Sequence, residues 1–357
     1  MPAPLSAIDA VSPAFEQTKR HLFQPFRLQF WARLAVVAMT TGEFAFPGSW
    51  GGWNHWFPLT RRRRLSPIFA ELPKVIWERM LHFWPLLAVV AALTVILAAM
   101  WIYMACVFRF ILFDSVLAGE CDLKAGWPLW KPQGLSYLLW KIGLWLVTAA
   151  VAAVVVGIPL LWAAVTGILR NARSHMALLI LGGGSVLILM VVFLTAVALI
   201  SLLAQDFVVP VMAVEKVGVL EGWRRFVPML RREARAYTGY VLMKIVLMIG
   251  TAIFFGIASF LAFLVLMIPL GVFGVGVFLA ARAAGLGFNY YTFSGGVILA
   301  GGMISVIIYA LSVVFTPAMV FFQSYANHFF GSRYPALGVR VFPAPLSPQA
   351  IPPSPTA

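Results

Sequence analysis

The chain has 357 residues and a formal net charge of +14 at pH 7, yet only 11% of its residues are charged and 62% are hydrophobic. An ordinary soluble domain carries about 25% charged residues, so this composition excludes a soluble globular protein and predicts an integral membrane protein. The positive charge is interpreted as basic residues that face anionic lipid headgroups and set the topology, and not as a nucleic-acid surface.

Five stretches of the sequence contain no Asp, Glu, Lys or Arg: residues 86–107, 142–169, 176–205, 245–281 and 283–332. Each exceeds the roughly 20 residues that a helix needs to cross the hydrocarbon core. None has the period-2 alternation of barrel strands, so the predicted fold class is an all-α, polytopic transmembrane helical bundle with interfacial amphipathic helices. Strong helices are predicted near residues 83–108, 135–161, 177–207, 237–268 and 294–322.

A sixth crossing is predicted at residues 26–46, where Arg27, Arg33 and Glu43 interrupt the apolar pattern. An interfacial helix is the competing interpretation of this segment. The sixth crossing is followed by a loop rich in Trp, Gly and Arg.

Two prolines, Pro159 and Pro269, predict bends or ends of their helices, because proline removes a helical hydrogen bond. The glycine-rich residues 271–288 are predicted to form a loop or a frayed helix end rather than a seventh span.

An internal repeat is suggested when Gly126-Trp127 is aligned with Gly222-Trp223, because FILFDSVLAGECDLKAGW then matches DFVVPVMAVEKVGVLEGW. This repeat predicts two parallel hairpins. The resulting domains are 1–82 (amphipathic start, weak span, Trp/Arg-rich loop), 83–175 (first hairpin), 176–292 (second hairpin), 293–335 (last span) and 336–357 (a disordered Pro-rich tail).

Orientation depends on the number of spans. With six spans, fifteen Lys and Arg residues fall on the side of both termini and nine on the other, which predicts cytoplasmic termini. If residues 26–46 do not cross, the numbers become eleven against thirteen and that support disappears.

Residues 216–235 predict an amphipathic helix lying in the membrane interface, with Leu220, Trp223, Val227 and Leu230 on its apolar face and a break at Pro228. Anchoring at the surface is the simplest interpretation, and binding of a lipid headgroup or an anionic substrate is the functional one. The candidate lipid-surface residues are Lys216, Arg224, Arg225, Arg231, Arg232, Arg235 and Trp223.

Five candidate polar residues lie within or at the ends of the apolar segments: Asp114, Asp206, Arg109, Lys141 and Lys244. An unpaired charge is expensive there, so the two acids are interpreted as structurally paired or capping, with a proton or ion relay as the alternative. Arg109 precedes Asp114 by five residues and is predicted to form a salt bridge with it. The two lysines are predicted to extend toward the interface.

Enzymatic motifs are missing from the sequence. There is no HExxH, no GxxxxGK[ST] and no GxSxG, so no catalytic residue is assigned and neither a metal nor a cofactor is expected. Cys106 and Cys121 lack the spacing of a metal site and are interpreted as packing residues.

The repeated FILFDSVL and DFVVPVM segments, with GVLEGWRRF and the ending FTPAMVFFQSY, give the chain a resemblance to a family. It resembles an uncharacterised family of bacterial polytopic membrane proteins, similar to the membrane-spanning region attached to some glycerophosphoryl diester phosphodiesterases. The resemblance covers roughly residues 14–335. It implies no phosphodiesterase activity, because this chain has no polar stretch that could hold the barrel of about 250 residues.

The expected protein is an inner-membrane helper without enzymatic activity that binds anionic lipid headgroups or a protein partner, and no nucleic acid. The alternative is a transporter of a small molecule or lipid with a site between the two repeats. An intramembrane enzyme ranks third.

Overall fold

The structure is a computed structural model that describes residues 4–24, 26–41, 84–168, 174–286 and 290–342. Within these ranges the chain contains no strand, which confirms the predicted all-α fold. The predicted Trp/Arg-rich loop with Arg61 to Arg64 lies outside the described residues. The helices are α1 (Val11–Phe23), α2 (Leu28–Thr41), α3 (Trp84–Ala118), α4 (Leu123–Val165), α5 (Met176–Leu203), α6 (Val209–Glu215), α7 (Val219–Arg232), α8 (Ala234–Ala283), α9 (Tyr290–Gly331) and α10 (Pro335–Val341).

Five helical segments in the described ranges are long and apolar enough to cross a membrane: Ala91–Ala118, Leu123–Val165, Met176–Glu215, Ala234–Ala283 and Ser294–Gly331. The third combines α5 and α6 through one π-helical turn. All five predicted strong spans therefore exist as helices, and each continues beyond its predicted bounds. Since α8 has 50 residues and rises about 1.5 Å per residue, it is about 75 Å long, well over twice the thickness of a hydrocarbon core.

The sixth predicted crossing is not among these segments. Its described part is α2, whose 14 residues extend only about 21 Å, short of a core of about 30 Å. Residues 42–46 of that prediction lie outside the described residues. Leu34, Val37 and Ala38 of α2 are buried in the packed core of the protein, so one face of α2 packs against protein.

The packed core lies at one end of the long helices. Its members come from α1 and α2, the end of α3, the start of α4, the α5–α6 junction, α7, the start of α8, the end of α9 and α10. Phe207 is at its centre, with ring centroids 5.2 Å from Phe226, 5.1 Å from Tyr237 and 5.2 Å from Phe330. Large aromatic rings therefore join four helices at this end, where edge and offset contacts add to the burial of apolar area.

Beyond this core the long helices present apolar side chains outward. No residue in the most apolar 18-residue stretch of α8 is buried, and Phe254 and Val265 are 67% and 68% exposed. α8 contacts α9 along one side, where the Phe255 and Phe315 rings are 5.9 Å apart. This pattern suits helices surrounded by lipid tails, which are as apolar as the side chains themselves.

The prolines predicted to bend or end helices do not end them, and the predicted bends remain predictions. Pro159 lies inside α4, Pro269 inside α8 and Pro228 inside α7, and α8 continues through most of the glycine-rich run. Within a membrane an open backbone would leave several polar groups unsatisfied, which costs more than one lost hydrogen bond at a proline. Residues 336–341, assigned to the disordered tail, form α10 and bury Leu337, and the tail beyond residue 342 lies outside the described residues.

Gly134 of α4 provides a test of how α4 packs against α3. A Cβ at Gly134 would lie 2.6 Å from Cγ2 and 3.1 Å from Cα of Val107, so alanine forces α3 and α4 apart. We expect Gly134→Ala to lower the free energy of unfolding by about 1–3 kcal/mol. Thermal unfolding of the purified protein in one detergent measures this.

Gly143→Ala is the matched control, because Gly143 lies on the same helix and a Cβ there meets no atom within 4 Å. This variant should be unchanged or slightly more stable, since alanine favours a helix. Equal losses of stability in both variants would contradict the packing of α3 on α4.

Candidate functional site

A buried polar cluster forms where α5 meets α8. Oδ2 of Asp206 accepts a hydrogen bond from Nζ of Lys244 at 2.5 Å and from the hydroxyl of Tyr240 at 3.0 Å. Asp206 and Lys244 are each only 3% exposed. One carboxylate oxygen therefore receives both a charged donor and a neutral donor inside the packed core, where such bonds are stronger than in water.

Local backbone structure explains how these groups meet. Tyr240 and Lys244 are four residues apart on α8 and so point to the same side of that helix. Asp206 lies in the π-helical turn Ala204–Val208, which ends next to Pro210. Because proline has no N–H to donate four residues back, the carbonyl of Asp206 loses its usual helical partner, and the π turn accommodates this irregularity.

Aromatic rings surround the cluster. Tyr325 of α9 stacks on Tyr240 with centroids 5.0 Å apart, and the ring of Phe322 lies 5.9 Å from Nζ of Lys244. The hydroxyl of Tyr325 donates to the carbonyl of Ala7, so the N-terminal segment closes over the same site. The π-helical turn, α8, α9 and the N-terminal segment, which are distant in sequence, thus meet around the ion pair.

The predicted polar residues have different positions in the structure. Lys244 does not extend to the interface as predicted, because Asp206 of a neighbouring helix lies within reach. Arg109 is buried on α3, Asp114 is half-buried on the same helix, and Lys141 has its Nζ 5.5 Å from the Trp145 ring centre on α4. The structure brings Asp206 and Lys244 together with Tyr240, a residue that the sequence alone does not single out, and the salt bridge between Arg109 and Asp114 remains a prediction.

The amphipathic helix predicted at residues 216–235 corresponds to α7 and the first residues of α8. Its buried side is Val219, Gly222 and Phe226, whereas Leu220 is 77% exposed. Gly222 lets α7 approach Val208 closely, since a Cβ there would lie 2.8 Å from Cγ1 of Val208. Trp223 and Leu230 of the predicted apolar face also pack against the core, and the contact of that face with the membrane remains a prediction.

Two of the predicted lipid-surface residues bind within the protein. Arg225 forms ion pairs with Glu215 and Glu221, and Glu215 also accepts a hydrogen bond from Tyr334. Nζ of Lys216 lies 3.3 Å from the centre of the Trp130 ring. Partial burial lowers the pKa of Lys216 from its ordinary value, and Arg340 lowers it further while Asp114 opposes this.

The other predicted surface residues face outward. The Arg224 side chain is 84% exposed with one long contact of 3.8 Å to Glu221, and Trp223 is half-buried. Arg231, Arg232 and Arg235 are exposed. Among the residues that the structure describes, no group of three or more His, Cys, Asp and Glu could hold a metal ion.

Comparison with known protein families matches residues 5–340 to a family described as "Family of unknown function (DUF7544)". The chain belongs to this family. The predicted membership of an uncharacterised family is confirmed, and with five apolar helices this DUF7544 member is a multi-pass membrane protein. Nothing links it to glycerophosphoryl diester phosphodiesterases, so that part of the resemblance is not supported. No curated protein and no solved structure matches it.

The ion pair of this DUF7544 member can be tested by replacing one or both partners. Asp206→Asn or Lys244→Met alone leaves a buried charge without its counter-ion, and each should lower the free energy of unfolding by about 3–5 kcal/mol. The double variant removes both charges and keeps an oxygen for Tyr240, so it should recover most of that loss. A denaturation series in detergent, arranged as a double-mutant cycle, measures the coupling.

Lys131→Met is the control, since Lys131 is an exposed lysine of α4 at the same end of the molecule. A substitution of an exposed lysine changes stability by about 0.5 kcal/mol or less, so the variant should stay near the parent protein. Additive losses in the double variant would mean that Asp206 and Lys244 do not stabilise each other.

Proposed function

We propose that this protein is an integral membrane helper without enzymatic activity of its own, which binds lipid or a protein partner along its apolar helices. The observation that carries this proposal is the Asp206–Lys244 pair. A transporter or proton relay needs ionisable groups that face a cavity and exchange partners. Here both groups are 3% exposed and bonded to each other, which supports a structural role for the pair.

The exposed apolar faces support the binding part of the proposal. α8 presents Phe254, Phe260 and Val265 outward at 67%, 60% and 68% exposure over a length that exceeds a bilayer core. In a membrane these faces contact lipid tails, and they are open to the helices of another protein without any rearrangement of the core. Association of this kind is governed by close packing, because lipid and side chains are equally apolar.

The transporter alternative has less support. A groove of about 340 Å³ lies between α4 and α5, which belong to different predicted repeats, and its lining is Val154, Val155, Ile158, Pro159, Ser185, Val186 and Leu189. With Ser185 as its single hydroxyl, this groove suits an acyl chain better than a polar solute. It supports lipid binding within the helper proposal.

We place the protein in the bacterial inner membrane with both termini in the cytoplasm. Residues of α1, α2 and α10 all belong to the packed core at one end of the long helices, which supports a common side for the two termini. Among the described residues, every Lys and Arg except Arg282 lies at the end of the helices that holds the packed core. Positive charge is retained on the cytoplasmic side. An impermeant maleimide added to intact cells should therefore leave Arg231→Cys unlabelled and label Arg282→Cys, both in a background without Cys106 and Cys121. The reverse pattern would place the core end outside.

The helper proposal is tested by reconstituting the full chain in liposomes that contain a pH-sensitive dye. We expect gradient-driven proton flux equal to that of protein-free vesicles, with and without added sodium, because Asp206 and Lys244 are buried and bonded to each other. A pore-forming peptide provides the positive control. Flux that is present in the parent protein and abolished by Asp206→Asn would overturn the helper proposal and favour transport.

A further inference from the structure

The outer face of α7 and the first turn of α8 carry positive charge that the protein does not neutralise. Arg231, Arg232 and Arg235 are exposed and have no ion pair within the described ranges, and Arg224 has only its long contact to Glu221. We refer to these four arginines as the arginine face.

The nearby acids are occupied elsewhere. Glu215 binds Arg225 and Tyr334, Glu221 binds Arg225 with an Nε to Oε1 distance of 3.0 Å, and Glu233 binds Arg333 at 2.7 Å. These acids therefore join α6 to α7 and the start of α8 to the segment that follows α9. The charge of the arginine face is therefore available to an external anion.

Contacts between α7 and α4 place the start of α7 close to the membrane surface. The N–H of Val219 donates to Oγ of Ser136 at 3.1 Å, and the rings of Trp223 and Trp140 lie 6.0 Å apart. The charge-free part of α4 begins at Ile142, so Trp140 precedes it by about 3 Å and Ser136 by about 9 Å along the helix. A headgroup layer is about 5–8 Å thick, so the N-terminal half of α7 lies at headgroup depth.

The C-terminal half of α7 leads directly into α8. The charge-free part of α8 begins at Ile245, about 15 Å along the helix from Arg235. Long arginine side chains shorten this distance, and attraction to an anionic surface extends over a Debye length of about 8 Å. All four members of the arginine face are thus within electrostatic reach of a headgroup layer, and Trp223 is of the type that anchors helices there.

We propose that the arginine face binds the headgroups of anionic phospholipids such as phosphatidylglycerol. The inference rests on the membrane placement in the proposed function and names the lipid class that the core end recognises. The planar guanidinium offers paired donors that fit the oxygens of a phosphate, and lipid phosphates are the anions present at this depth. Lys216 and Arg225 are also exposed, but each already has a partner in the protein, the Trp130 ring for Lys216 and the acids Glu215 and Glu221 for Arg225, so they are not counted in the arginine face.

The test uses the full chain reconstituted in phosphatidylcholine with spin-labelled phosphatidylglycerol or phosphatidylcholine, and electron paramagnetic resonance measures the fraction of each label held at the protein. We expect the parent protein to prefer phosphatidylglycerol about fivefold or more, the factor that one basic group near an anionic surface supplies. Replacing Arg224, Arg231, Arg232 and Arg235 with Gln should reduce the preference to about one.

The matched control neutralises four other exposed basic residues of the same end, Lys19, Arg20, Lys124 and Lys131, and should keep the parent preference. A parent protein that shows no preference for phosphatidylglycerol over phosphatidylcholine overturns the inference. So does an arginine-face variant that keeps its preference, or a control variant that loses it equally, because the preference would then come from overall charge. None of these results alters proton flux, so the inference can fail while the helper proposal stands.

Discussion

The ion pair between Asp206 and Lys244 lies where the packed core meets the apolar lengths of the long helices. It lies at the edge of the packed core, where α5 bends through a π-helical turn and where the charge-free part of α8 begins at the next residue, Ile245. Two ions buried together are held firmly, because neither can leave the other without entering a medium that solvates it poorly. The aromatic stack of Tyr240 and Tyr325 adds α9 to this junction. This contact and its aromatic neighbours therefore link α5, α8 and α9 at the point where the long helices leave the core.

The core end is tightly packed and the rest of the long helices is not, because the first lies in water and the second in hydrocarbon. At the core end, water drives aromatic and aliphatic side chains into contact, and polar side chains such as Gln17, Ser324 and Arg333 bond to partners on other elements. In the remaining length the solvent is hydrocarbon, which removes the drive for apolar side chains to meet. The helices there keep their backbone hydrogen bonds and need few neighbours, so even prolines and glycine-rich runs remain helical.

Much of the fold is predictable from the sequence, because a charge-free run longer than a bilayer core has few alternatives to a helix. The pairing of Asp206 with Lys244 is not predictable in this way, since the residues are 38 positions apart and nothing local links them. The side of α7 that packs on the protein is also not evident from hydrophobicity, because Gly222 lies against Val208 whereas Leu220 is exposed. Gly126 packs on Ile111 and Gly222 packs on Val208, contacts that differ by one position in the predicted alignment, and the repeat remains a prediction.

The central claim is that the packed core ends near Lys244 and that α8 beyond it faces lipid on every side except the one toward α9. Spin labels placed singly along α8 in liposomes measure this through their accessibility to oxygen. Labels at Phe254, Leu261 and Val265 should show high accessibility, and labels at Phe255 and Ser259, on the side toward α9, should show less. Equally low accessibility at all five positions would show that α8 is enclosed in a packed bundle and would contradict the account.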